Sequence, residues 1–194
     1  MIALLVSAAF AMEVDVGVGA ELVTNDPFMT PIGLRVATVV RPLPWLGVGA
    51  SVAGHPLHPV NTYGQYLDAV QIVPDYSPIL GSASVFGDVR FARGAIGRFD
   101  GALDLVVGAG GVYTVEDCAA MGMSDDAACL ATQREAHLAS VIGLSASVGS
   151  GRWALRVRGE RWQYTERVFD TVKENKIPIW AGVDAVVRFG GPKR

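Results

Sequence analysis

The 194-residue sequence contains no run of the roughly 18 apolar residues that a membrane-spanning helix requires. Charge is also scarce, because Asp, Glu, Lys and Arg together make up 18% of the residues, against about 25% in an average soluble domain. Hydrophobic residues nevertheless make up 51%, and the mean hydropathy is +0.34. The chain is therefore unusually apolar for a soluble domain, yet it lacks the long hydrophobic segments of a helical membrane protein.

The sequence also lacks the features that mark several classes of functional site. The 16 basic residues do not outnumber the 19 acidic ones, so no positive field attracts nucleic acid. His55 and His58 have no third metal ligand near them in the sequence, and the Gly-Ala-Gly-Gly segment at 108–111 lacks the Gly-Lys-Ser/Thr of a phosphate loop. His137 has no Ser or Cys nucleophile at a recognisable spacing. We expect no cofactor, no metal, no nucleic-acid partner and no enzymatic activity.

The sequence does contain segments in which apolar residues recur with a period of two. In the segment that begins at Arg152, Trp153, Leu155 and Val157 alternate with charged residues. Because successive side chains of a β-strand point to opposite faces, such a segment has one face for an apolar medium and one for charge.

This alternation recurs in eight segments, at residues 14–23, 32–40, 45–54, 79–92, 99–114, 135–148, 152–164 and 177–189. Short and long connections alternate between them. The short turns are expected at 41–44, 93–97 and 149–151, and the longer loops at 24–31, 55–78, 115–134 and 165–176. This asymmetry is typical of outer-membrane barrels, which have short periplasmic turns and longer extracellular loops. The predicted fold is all-β, an eight-stranded antiparallel up-and-down transmembrane β-barrel with both termini in the periplasm.

The odd or even position of each residue along its strand predicts which face of the barrel it occupies. If the apolar parity faces lipid, the other parity lines an interior that side chains of eight strands just fill. Acids and bases there would pair into a structural network, although Arg156, Arg158 and Glu160 could instead form a binding site. The predicted interior polar network comprises Asp15, Glu21, Arg35, Asp88, Arg90, Asp100, Asp104, His137, Arg156, Arg158, Glu160, Asp184 and Arg188.

Some of the aromatic residues near strand ends or on apolar faces could form the girdles at the membrane interfaces, although ordinary packing would also place aromatic residues there. They are Trp45, Phe99, Tyr113, Trp153, Trp180 and Phe189. In the longest predicted loop, Tyr63, Tyr66 and Tyr76 are candidate contact residues for a partner, since tyrosines are common in contact surfaces.

The N-terminus resembles an export signal. Residues 2–10 are apolar and Ala9-Phe10-Ala11 fits the small-x-small cleavage rule, although no Lys or Arg precedes the apolar segment. The alternative is that these residues begin the first strand. We expect a signal peptide at 1–11, the barrel at 12–190 and a short tail at 191–194. Cys118 and Cys129 could close a disulfide in an oxidising compartment, or they could be two unrelated thiols.

Three segments resemble a known family. They are Phe-Gly-Asp-Val-Arg at 86–90, Phe-Asp-Gly-Ala-Leu-Asp-Leu-Val-Val-Gly-Ala-Gly-Gly at 99–111, and Arg-Trp-Ala-Leu-Arg-Val-Arg-Gly-Glu-Arg-Trp-Gln-Tyr-Thr-Glu-Arg at 152–167. Together with the segment 177–189, they are similar to the outer-membrane β-barrel domain proteins of myxobacteria and related delta-proteobacteria. The resemblance covers roughly residues 80–190. It implies an exported outer-membrane barrel and carries no catalytic residues with it.

The sequence thus predicts an outer-membrane barrel with a filled polar interior. Its expected role is structural, in adhesion or interaction through extracellular loops, or as the anchor of an envelope complex, with membrane lipid and an envelope protein as partners. Two alternatives stay open at this point. One is a narrow outer-membrane channel, and the other is a soluble, lipocalin-like barrel that binds an apolar ligand and has the opposite faces inside and outside.

Overall fold

The computed structural model describes residues 12–24, 32–57, 79–115, 134–168 and 172–190. These residues form nine β-strands, which are β1 (Glu13–Thr24), β2 (Ile32–Leu43), β3 (Leu46–Leu57), β4 (Ile79–Ile96), β5 (Phe99–Val115), β6 (Arg134–Ser150), β7 (Trp153–Val168), β8 (Val172–Lys176) and β9 (Ile179–Gly190). No helix occurs in the described ranges.

Eight of the strands form a closed wall. Each strand pairs antiparallel with the next from β1 to β7, then β7 pairs with β9, and β9 pairs with β1. The predicted eight-stranded antiparallel barrel is confirmed. Closure matters because every backbone N–H and C=O of the wall can then be paired without a free sheet edge.

The ninth strand, β8, is an addition to the wall. The region 165–176 was predicted as a charged loop, and this prediction was wrong: β7 continues to Val168 and pairs with β8 from Tyr164↔Lys176 to Val168↔Val172. A ladder made of these two strands alone has no barrel interior to face. It therefore does not need the apolar alternation by which the other strands were recognised.

The register fixes the shape of the barrel. Following paired residues around the wall from Leu138 on β6 leads back to β6 at Val148, so one circuit advances the register by ten residues. With a rise of about 3.3 Å per residue and a strand spacing of about 4.8 Å, this stagger corresponds to a strand tilt of about 40°. That tilt lies in the range of transmembrane barrels, about 35–45°.

The two ends of the barrel differ. At one end, called the short-turn end, lie the tight turns at 44–45, 97–98 and 151–152, together with the described chain ends at Met12 and Gly190. Gly97 and Gly151 adopt positive φ angles of 60° and 62° in two of these turns, a conformation that glycine reaches without strain. The opposite end, called the long-loop end, is where the strands meet the segments 25–31, 58–78, 116–133 and 169–171.

Candidate functional site

A group of buried ion pairs fills the interior near the short-turn end, and Arg41 is its centre. Arg41 Nη1 donates to Asp15 Oδ2 at 2.6 Å and Arg41 Nη2 donates to Asp88 Oδ1 at 2.8 Å. Asp104 Oδ2 lies 3.5 Å from the same Nη2. Arg41 is 1% exposed and the three aspartates are buried with it, while Oε1 of the partly buried Glu13 lies 3.6 Å from Nη1.

Other arginines extend this short-turn group. Arg156 Nη2 donates to the same Oδ2 of Asp15, and Arg90 Nε donates to Asp104 Oδ1 at 2.9 Å. At the rim of the barrel, Arg188 Nη1 donates to Asp100 Oδ2 at 2.8 Å. Charge-assisted pairs of this kind are the strong hydrogen bonds of a protein interior.

A second group, the central group, lies further toward the long-loop end and is organised by Arg158. Its Nη2 donates to Glu21 Oε2 at 2.5 Å, while its Nε lies 3.3 Å from Asp184 Oδ2. Arg35 Nη1 donates to Glu160 Oε1 at 2.9 Å, and that same oxygen lies 3.6 Å from Arg158 Nη1. These partners come from four strands that are neighbours in the wall, in the order β2, β1, β9 and β7, so the ion pairs connect strands up to three positions apart.

The interior at the long-loop end is apolar and aromatic. Trp162 and Trp180 stack with ring centroids 4.4 Å apart, and His55 meets Trp180 edge-on at 5.4 Å. His137 stacks on Tyr164 at 5.5 Å, and its Nε2 is 3.1 Å from Thr114 Oγ1. The interior is therefore polar through most of its length and is closed by stacked rings at this end.

Glycines make room for these large inward side chains. A Cβ added at Gly49 would lie 2.5 Å from the ring of Phe86, and one at Gly33 would lie 2.3 Å from the ring of His55. Such distances are shorter than carbon atoms tolerate, so only glycine fits at these positions.

Side chains fill most of the described interior. Between the short-turn group and the central group lies a void of only about 10 Å³, which is about the size of one water-sized sphere. An interior of eight strands is narrow enough for side chains to fill, and here ion pairs and indole rings fill it.

The outer face has the opposite character. Aliphatic side chains stand exposed all around the barrel, among them Leu34 on β2, Val85 on β4, Leu144 on β6 and Val157 on β7. On β9 the outward residues from Ile179 to Phe189 are all apolar, and these ten residue steps correspond to about 25 Å of height on a strand tilted by about 40°. A soluble protein rarely exposes so large an apolar surface, whereas a transmembrane barrel has an apolar band about 25 Å tall.

Aromatic residues border this band at the short-turn end. Trp45, Phe99, Trp153 and Phe189 are exposed beside the tight turns or at the end of β9, and Tyr113 is exposed near the long-loop end. Trp180 was also a candidate for a girdle, and this was wrong. It has the parity of Asp184 and lies buried in the lumen against Trp162.

The predicted network residues lie on the inner face. Asp100 and Arg188 sit at its rim, with side chains 14% and 11% exposed, and the others are buried: Asp15, Glu21, Arg35, Asp88, Arg90, Asp104, His137, Arg156, Arg158, Glu160 and Asp184. Cys118, Cys129, Tyr63, Tyr66 and Tyr76 lie outside the described residues, and the sequence predictions for them stay predictions.

Two interior residues were missed because prolines stand next to them. Arg41 was assigned to a turn and His55 to a loop, but β2 continues to Leu43 and β3 to Leu57. The ladder between β2 and β3 is irregular at both places, between Val40 and Leu43 and between Ile32 and Leu34. A bulge does not require the backbone N–H that proline lacks, so both strands continue past a proline. Arg41 has the same odd parity as the inward residues Arg35 and Val39 of β2, so the alternation continued through the predicted turn.

Comparisons with known proteins identify the fold. No protein-family model matches the sequence, and the comparison with curated proteins finds no match. Among solved structures, the N-terminal β-barrel domain of Pseudomonas aeruginosa OprF is similar with a TM-score of 0.57 at 9% identity, over 91% of this chain and 97% of that one. Neisserial surface protein A is similar with a TM-score of 0.53 at 8% identity, over 92% of this chain and 96% of that one. At such low identities the likeness establishes the fold alone, that of a small eight-stranded barrel.

No helix in the described ranges is long and apolar enough to span a membrane. No group of three or more His, Cys, Asp and Glu side chains in the same ranges is placed to hold a metal ion.

Proposed function

We propose that this protein is a non-conducting β-barrel of a bacterial outer membrane that acts as a structural or interaction protein, or as the membrane anchor of an envelope complex, through its long-loop end. The observation that carries the proposal is the inverted polarity of the barrel. Arg41 and Asp15 are buried in the lumen, whereas Leu34 and Val157 are more than half exposed outside. A lipid bilayer is the solvent in which that arrangement is stable.

The inverted polarity argues against the soluble alternative. A lipocalin-like barrel would place its aliphatic residues around a ligand in the lumen and its charges outside. In the described residues the faces are the other way round, and the void in the lumen has a volume of only about 10 Å³. Such a void has no room for an apolar ligand.

The filled lumen also argues against the channel. A conducting pore would require Arg41, Arg158 and their carboxylate partners to separate and hydrate, and the stacked Trp162 and Trp180 to part at the long-loop end. Separating buried ion pairs leaves charges without partners, which costs several kcal/mol. We propose a closed barrel for this reason.

The two ends of the barrel suggest where interactions occur. Loops held on a rigid scaffold are where binding functions are usually located. The segments 58–78 and 116–133 connect strands at the long-loop end, and β7 and β8 form a ladder there that the barrel wall does not share. We propose that this end faces the exterior, so that the short turns and both termini of the barrel are periplasmic.

Epitope insertion tests location and orientation together. A tag would be inserted within 116–133, and a matched tag at Gly97 and Arg98 in the β4–β5 turn. The proposal predicts that antibody binds the first tag on intact cells and the second only after the outer membrane is permeabilised. Antibody binding to the turn tag on intact cells would reverse the proposed orientation. Binding to neither tag, on intact or on permeabilised cells, would contradict the proposed location.

Deletion of a loop tests the interaction role. A variant that lacks residues 60–76, with a short Gly-Ser connection, removes Tyr63, Tyr66 and Tyr76. We expect the barrel to insert as before, while cross-linking of the native protein to envelope or surface partners decreases. Unchanged cross-linking by the inserted variant would remove this loop from the proposal.

A further inference from the structure

The void between the two ionic groups has a mixed polar and apolar lining. It is lined by residues of both ionic groups and by Ala37, Phe86 and Val106. Its volume of about 10 Å³ is at the lower limit of the space that one water molecule needs. Size alone therefore admits a single water and excludes a larger ligand.

Five buried polar atoms of the residues that line this void have no hydrogen-bond partner in the described part of the chain. Two of them, Nε and Nη1 of Arg158, lie 3.3 Å and 3.6 Å from carboxylate oxygens of Asp184 and Glu160. The other three are Ser145 Oγ, Arg156 Nε and Asp184 Oδ1. Their positions in the sheet bring them together, because Arg156 on β7 is paired directly with Asp184 on β9, and Ser145 on β6 is paired with Arg158, the next inward residue of β7. Buried polar groups of folded proteins are seldom left unpaired, so these three atoms indicate a ligand.

The chemistry of the three atoms matches water. Arg156 Nε can only donate a hydrogen bond, the carboxylate oxygen of Asp184 can only accept one, and the Ser145 hydroxyl can do either. A water molecule can accept from the first, donate to the second and bond to the third. Internal waters typically make about three such bonds.

The charge around the void favours a neutral ligand. Three guanidinium groups and three carboxylates line it, namely those of Arg35, Arg156, Arg158, Asp88, Glu160 and Asp184. With the two signs in balance, the void offers no net attraction for an anion or a cation. Water is the neutral molecule of this size that both donates and accepts.

We propose that this void is a binding site for one internal water molecule, held by Ser145, Arg156 and Asp184. The water joins the two ionic groups. Arg156 belongs to the short-turn group through Asp15, and Asp184 belongs to the central group through Arg158. The water thereby connects the two ionic groups into one continuous network of hydrogen bonds and ion pairs.

A high-resolution crystal structure of the full barrel, grown with bromide in the buffer, tests this proposal. The expected result is one water peak within about 2.6–3.2 Å of at least two of the three atoms, without anomalous signal. A dry void, or a bromide peak in its place, would overturn the proposal.

Two filling variants and one control make the test specific. Ala37→Val fills the void from β2, and Ser145→Val fills it from β6 and removes the hydroxyl. In either variant we expect the water peak to be absent from the crystal structure. Magnetic relaxation dispersion of the water oxygen should also detect one long-lived water fewer than in the wild type. Ser51→Ala is the control, because the Ser51 hydroxyl already bonds the Ser84 hydroxyl at 2.8 Å, and it is expected to keep the water. If a filling variant kept the same number of long-lived waters as the wild type, the site would be wrongly assigned.

This test is independent of where the barrel resides. The water site depends on the lumen alone, so its failure would leave the membrane proposal standing. Failure of the membrane proposal would likewise leave the crystallographic result unaffected.

Discussion

Gly182 on β9 leaves the space that the guanidinium of Arg158 on β7 occupies. The two residues are paired directly across the strands, and a Cβ on Gly182 would lie 2.6 Å from Arg158 Nη2 and 2.9 Å from the backbone oxygen of Ala20. One small residue thus allows the central arginine of the interior to reach Glu21.

Replacing this glycine is expected to destabilise the barrel. Gly182→Ala forces Arg158 or the β1 backbone to move, and overpacking of this kind costs about 1–3 kcal/mol. The control is Gly159→Ala, the neighbouring outward glycine on β7, which has nothing within 4 Å of a new Cβ. The measurement is urea-induced unfolding in detergent, followed by Trp fluorescence. Equal stability of the two variants would show that Arg158 is not held as described.

Removing Arg41 is expected to be the most damaging single change to the short-turn group. Arg41→Ala leaves Asp15 and Asp88 with buried negative charge and fewer partners, a loss of about 3–5 kcal/mol in comparable buried pairs. Arg152→Ala removes an exposed arginine at the β6–β7 turn and should change the free energy of unfolding by no more than about 0.5 kcal/mol. Folding yield and the urea midpoint measure both effects, and a similar small loss in both variants would contradict the network.

A charge on the outer face distinguishes lipid from water as the surrounding medium. Val157→Arg places a guanidinium at the middle of the apolar band and should cost about 2–4 kcal/mol in a bilayer. Ile96→Arg, at the 87% exposed tip of the β4–β5 hairpin, should cost about 0–1 kcal/mol. The measurement is folding into phospholipid vesicles as a function of urea. In a water-soluble barrel neither substitution would be destabilising.

Because the lumen is filled, we predict that the barrel does not conduct ions. Purified barrel reconstituted in planar bilayers is expected to show no discrete conductance steps, since the described lumen contains a void of only about 10 Å³. A matched preparation of a known porin would show that the bilayer detects open channels. Reproducible conductance steps from the wild-type barrel would replace the anchor proposal with the channel.

The disulfide is a separate prediction from the sequence. Protein exported to an oxidising compartment is expected to contain a bond between Cys118 and Cys129, so that its intact mass does not change on alkylation until a reductant is added. Alkylation of both thiols without reductant would show that they are free.

The sequence was sufficient for the fold because each wall strand has one apolar face and one polar or small face. This rule places Val157 and Arg156 on opposite faces, and the structure has Val157 outside and Arg156 inside. The same rule places Trp180 on the face of Asp184, but an aromatic side chain is stable in either environment, so residue type alone led to the wrong face. Parity was the better guide at that position.

Other features depended on information that a pattern does not carry. Pro42 and Pro56 are typical of turns, and only the register shows that they coincide with irregularities in the ladder that let Arg41 and His55 enter the lumen. The specific partner of each arginine also depends on the stagger of the barrel. A sequence shows that Arg35 faces inward, but not that it meets Glu160, 125 residues away.

The most direct test of the central claim is fractionation of the native protein combined with gel mobility before and after boiling. The account predicts that the protein is found in the outer-membrane fraction, is extracted only by detergent, and migrates differently in unboiled and boiled samples because the folded barrel resists denaturation by the gel detergent. A protein that is released in soluble form from the periplasm and shows no mobility shift would contradict it.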